Sequence, residues 1–124
     1  MHYLVRARPI VAEMARLWTL LNDGTIEAQE PDGREIVASM RRAVMNGGQV
    51  EWHETCYCNP PLLHERATVY DQFFADMEIG PLVTPASLEG ESFRHYLEDW
   101  NTGKSNGHEV TAAKLSRYVP IRIL

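Results

Sequence analysis

Glu54 and Asp71 are acids on stretches of chain that otherwise read as apolar strand faces. Val50, Trp52, Glu54, Cys56 and Cys58 alternate through residues 49–58 and so share one side of a strand. Val69, Asp71, Phe73, Ala75, Met77 and Ile79 alternate in the same way through residues 67–79. A hairpin closed across residues 59–66, with Cys58 opposite Ala67, sets Glu54 against Asp71, Trp52 against Phe73 and Cys56 against Val69. Opposed side chains have Cβ atoms roughly 4.5–5.5 Å apart. Two carboxylates that close cannot both ionise comfortably, so one is held protonated toward neutral pH and can serve as a general acid or base. Glu54 and Asp71 are therefore the candidate catalytic pair, with Glu54 as proton carrier. Trp52 and Phe73 beside them, and His64 and Arg66 from the connecting loop, are the candidate substrate-binding residues. A register slip of one residue would expose one acid, and pairing with Arg6 or Arg66 would make the acids structural.

His53, Cys56, Cys58 and His64 have the composition of a zinc or copper site. Strand geometry speaks against one. His53 points away from the two cysteines, and two residues of strand rise hold the thiols about 6.5–7 Å apart. Only a bulge or an early end to the strand would bring them together. The expectation is no metal and no cofactor. His64-Glu65 lacks the second histidine of a zincin helix, since Thr68 stands at that place. The chain has no Gly-rich phosphate loop, nucleophile elbow or dinucleotide fingerprint.

The positions of these residues depend on the elements around them. Residues 2–8 alternate and stop at Pro9, a strand. Ile10, Val11, Met14, Leu17, Trp18 and Leu21 recur at helical spacing, ended by Asn22-Asp23-Gly24. A second helix starts at Asp32 as cap, with Glu35 completing a capping box, and carries Ile36, Val37, Met40, Ala43 and Val44 to a stop at Asn46-Gly47-Gly48. The two long strands follow. Phe93, Tyr96, Leu97 and Trp100 mark a further helix, residues 103–108 a flexible polar loop, and residues 118–124 an edge strand carrying Pro120.

Strands interleaved with helices around a central hairpin imply one α+β domain over residues 1–124, an antiparallel sheet with helices on one face. In element order over residues 2–100 the chain resembles the ferredoxin-like group, and within it the dimeric α/β-barrel superfamily. That resemblance implies two facing sheets enclosing small pockets of diverse chemistry.

At 124 residues, with 44% hydrophobic and 23% charged, the chain can bury a real core. A net charge of −5 offers nothing for nucleic acid or an anionic membrane to grip. No apolar run approaches a membrane span, and the first residues lack the pattern of a secretory signal, so the expected location is the cytoplasm. Tyr57, Tyr70 and Phe74 fall opposite the acids, so both sheet faces carry apolar residues and a homodimer is expected. The functional expectation is cofactor-free acid/base chemistry on a small organic molecule. The alternative is a non-catalytic dimeric interaction or ligand-binding module.

Overall fold

The computed structural model describes residues 1–82 and 88–102. Strand β1 (His2–Pro9) leads through a short 3-10 turn into helix α1 (Met14–Asn22), and α2 spans Gly33–Arg42. Strands β2 (Val44–Asn46) and β3 (Gln49–Thr55) form a hairpin. Next comes a continuous helical stretch, α3, built from Leu63–Glu65, a π-helical Arg66–Tyr70 and Asp71–Phe73. Strand β4 (Phe74–Pro81), the two-residue β5 (Glu91–Ser92) and helix α4 (Phe93–Thr102) complete the described fold. The strands form one antiparallel sheet in the order β4-β1-β3-β2-β5, which makes the fold α+β.

The two-residue period of β1 and β3 divides the sheet into a covered face and an open one. Val5 pairs with Trp52 and Ala7 with Val50, and all four are fully buried beneath helices. Tyr3 pairs with Glu54, which places Glu54 on the same covered face. The helices supply the rest of the core from their apolar stripes: Met14 and Leu17 from α1, Ile36, Val37 and Met40 from α2, Phe93, Tyr96 and Leu97 from α4. On the open face Arg6 bonds Glu51 at 2.7 Å and reaches Glu78 at 3.7 Å, a charge row across β3, β1 and β4.

Three expectations are corrected. Gly47 and Gly48 do not end a helix; they are the two central residues of the β2–β3 turn, with φ of 64° and 85°. Both positive angles match a type I′ turn, whose twist suits a two-residue hairpin and which a side chain would strain. The second long strand begins at Phe74, not near residue 67, because residues 63–73 are helical. Asp32 does not cap α2 with its side chain; it bonds His64 Nδ1 instead. Glu35, the other half of the expected capping box, accepts from the Thr55 amide at 3.1 Å.

The second apolar sheet face is not formed. Tyr70 and Phe74 are core residues, and Tyr57 is an exposed loop residue. The expected loop at residues 103–108 and strand at residues 118–124 lie outside the described residues.

Candidate functional site

Glu54 leaves β3 on the covered face with 1% of its surface exposed. Two donors grip one of its oxygens. Trp52 Nε1 donates to Oε1 at 2.8 Å from the same strand face, and the Tyr70 hydroxyl donates to Oε1 at 2.6 Å from α3. Oε2 is buried with no hydrogen-bond partner among the described residues. Burial pushes the Glu54 carboxyl up to about 8; the Tyr70 and Trp52 hydrogen bonds oppose the shift, and the nearby Glu65 adds to it. Burial first, then the Glu54 charge, holds the Tyr70 phenol well above its usual range, so it remains a donor.

Trp52 and Tyr70 also pack as rings, centroids 5.1 Å apart, and Trp52 stands 5.3 Å from Phe74. This aromatic wall keeps water from the carboxyl, and the absence of water raises the cost of its charge.

A second polar cluster lies at the start of α3. Strand β3 ends at Thr55, so Cys56 and Cys58 belong to the loop that follows it. Freed from strand geometry, both thiols turn toward Glu65, each Sγ 3.6 Å from Oε1. Glu65 is 2% exposed and Cys56 is 3% exposed. The Cys58 and Leu62 amides donate to Cys56 Sγ at 3.2 and 3.3 Å. Leu62 takes a left-handed φ of 61° to aim its amide this way, an uncommon conformation for a branched side chain. Burial pushes the Cys56 thiol up to about 11, while those two amides pull the other way.

The acids expected to oppose each other are apart. Asp71 is exposed on α3 and bonded by Arg66 at 2.9 Å, an ordinary surface pair. Glu54 meets Tyr3 across the sheet and Tyr70 from above. Trp52 sits beside Glu54 as expected. Phe73 is also buried, and Arg16 covers its ring at 4.6 Å. His64 is exposed and engaged by Asp32. No family model matches the chain, and neither the curated proteins nor the solved structures contain a match to it.

Tyr70 and Glu65 are the site residues that alternation concealed. Leu62, Glu65, Val69, Tyr70 and Phe73 are all buried, and their spacing is helical. That spacing was the available signal. At the end of β3, a surface depression of about 510 Å³ is lined by His2, Glu35, Arg42, His53, Glu54, Thr55 and Leu82.

Proposed function

We propose that this is a ferredoxin-like α+β sandwich that carries out acid/base chemistry on a small organic molecule, with Glu54 as the proton carrier. The fold reading rests on the order β1, α1 and α2, β2, β3, α3, β4, a split β-α-β unit repeated, with the strands laid out β4-β1-β3-β2. The chemical reading rests on one observation. Both donors go to Oε1, and the buried Oε2 has no partner among the described residues. In the protonated acid Oε1 is the carbonyl oxygen and Oε2 bears the proton. Oε2–H then has a basic atom of a substrate as its natural acceptor. When it gives up that proton, the remaining carboxylate keeps its two hydrogen bonds, which stabilise the charge. Two donors held in advance of the reaction supply electrostatic stabilisation with little reorganisation. Because the carboxyl is 1% exposed, a substrate reaches it through a local opening beside the depression at the end of β3.

A contact surface built on an open sheet face is the competing reading. The position of Glu54 on the covered face, beneath aromatic rings, favours the acid/base reading over it.

The test is exchange of α-protons in a panel of small ketones, aldehydes and keto acids in D2O, followed by proton NMR. The expected result is protein-catalysed exchange of at least one compound. Glu54→Gln should abolish exchange yet retain binding, because the amide copies the protonated acid in shape and hydrogen bonding. A panel that neither binds nor exchanges, or exchange that survives Glu54→Gln, overturns the reading.

A further inference from the structure

Cys56, Cys58 and Glu65 are not used by the Glu54 chemistry, and their arrangement demands its own explanation. A carboxyl group 2% exposed needs compensation when charged, and burial without a cation is costly. Among the described residues no Lys, Arg or His pairs with Glu65. Its hydrogen-bond donors are two thiols, which are weak ones. Cys56 Sγ, in turn, accepts two backbone amides, a use that suits a thiolate far better than a neutral thiol.

One ligand class answers all three groups. One donor atom from each of Cys56, Cys58 and Glu65 lies within 4.8 Å of the others. With zinc–sulfur bonds of about 2.3 Å and a zinc–oxygen bond of about 2.0 Å, the sulfur–oxygen edge of a tetrahedral site is about 3.5 Å. Both observed sulfur–oxygen separations are 3.6 Å. We propose that Cys56, Cys58 and Glu65 are three ligands of a tetrahedral zinc site, with the fourth position left to water or an exogenous ligand. Binding requires both thiols to lose their protons to solvent. The two thiolates and the carboxylate then share the dication, which offsets two of their three negative charges and spreads the remaining one over the whole site. Two soft sulfurs with one carboxylate select a borderline-soft divalent ion over magnesium or calcium, which prefer all-oxygen shells. The Cys58 and Leu62 amides become the outer-shell donors that hold the Cys56 sulfur in place. This inference stands independently of the Glu54 reading.

Cobalt(II) and zinc(II) titrations of the reduced, chelator-stripped full chain, purified without an affinity tag, test the site. The expected result is sulfur-to-cobalt charge-transfer absorption with the strong visible bands of a tetrahedral ion, saturating at one equivalent and bleached by zinc. Cys58→Ser and Glu65→Gln should each weaken binding by roughly a hundredfold or more, beyond what loss of an outer-shell partner does. Cys58 is only partly buried, and Gln keeps the shape of Glu65, so both variants keep the fold, as far-UV circular dichroism would verify. Glu54→Gln should bind cobalt like the wild-type chain, which separates this site from the proton carrier. Weak octahedral cobalt spectra without thiolate bands, or unchanged affinity in both ligand variants, overturn the proposal.

Discussion

The Tyr70 hydroxyl donates to Glu54 Oε1 at 2.6 Å, a buried hydrogen bond that joins helix α3 to strand β3. The same oxygen already accepts from Trp52 Nε1. Among the described residues no cation pairs with this carboxyl group; neutral donors hold one of its oxygens and the other has no partner. Neutral donors moderate the cost of a buried charge without cancelling it, which is why the Glu54 acid remains raised.

The pH dependence of stability follows from that shift. The acid titrates near 4.5 when free and near 8 in the fold, so the native state holds more protons than the unfolded chain between those values. The Glu54 contribution is therefore fully present below about pH 4.5 and is lost as pH rises toward about 8. Glu54→Gln removes the titration. In chelator-stripped protein, the stability of the variant relative to wild type should climb by up to about 1.4 kcal/mol per pH unit across that window. Urea denaturation of both proteins at pH 5 and pH 8.5 measures the gap, and parallel curves would rule out a raised Glu54.

Tyr70→Phe removes one of the two donors to Oε1 and keeps the ring. The expected cost is about 1–2 kcal/mol, since a buried acceptor loses a hydrogen-bond partner. The Glu54 carboxyl should also titrate higher still, because the lost hydrogen bond was pulling it down. Urea denaturation reads the cost and carbon NMR of the side-chain carboxyl reads the titration; a downward move of the latter would contradict the assigned geometry.

Asp71→Asn breaks an exposed pair with Arg66. It should change stability by less than about 1 kcal/mol and leave any Glu54-dependent proton exchange intact. Loss of that exchange in Asp71→Asn would show that the two acids act together after all.

Replacing Gly48 by Val forces a branched residue to a φ of 85° in the β2–β3 turn. Thermal unfolding should register a loss of about 1 kcal/mol or more. An Asn-Gly sequence at residues 47 and 48 should be tolerated, since both residue types accept this turn. Unchanged thermal stability in Gly48→Val would contradict the positive φ at residue 48.

The reading of β1, α1, the body of α2 and α4 succeeds because each rests on a period the neighbours do not contradict, whereas the cap and the end of α2 do not follow from it. Val5 and Ala7 alternate, and Phe93, Tyr96 and Leu97 recur at helical spacing, whatever the rest of the chain does. Residues 67–73 obey two periods at once. Val69 and Phe73 are two steps of an alternating strand and also one turn of a helix, so local pattern cannot choose. The choice was made by burial: as a helix, α3 places Glu65, Val69, Tyr70 and Phe73 inside and leaves Asp71 in water with Arg66.

The sequence alone determined the α+β class, the buried face carrying Trp52 and Glu54, and hence that Glu54 is an acid out of its usual solvent. Tertiary structure decided which groups answer that acid. Tyr70 arrives from a helix 16 residues away, and Cys56 and Cys58 converge on Glu65 only because β3 stops at Thr55. Side-chain partners across elements depend on where a strand ends and which way the next segment turns. Those outcomes are set by the free energy of packing the whole core, which no local period encodes.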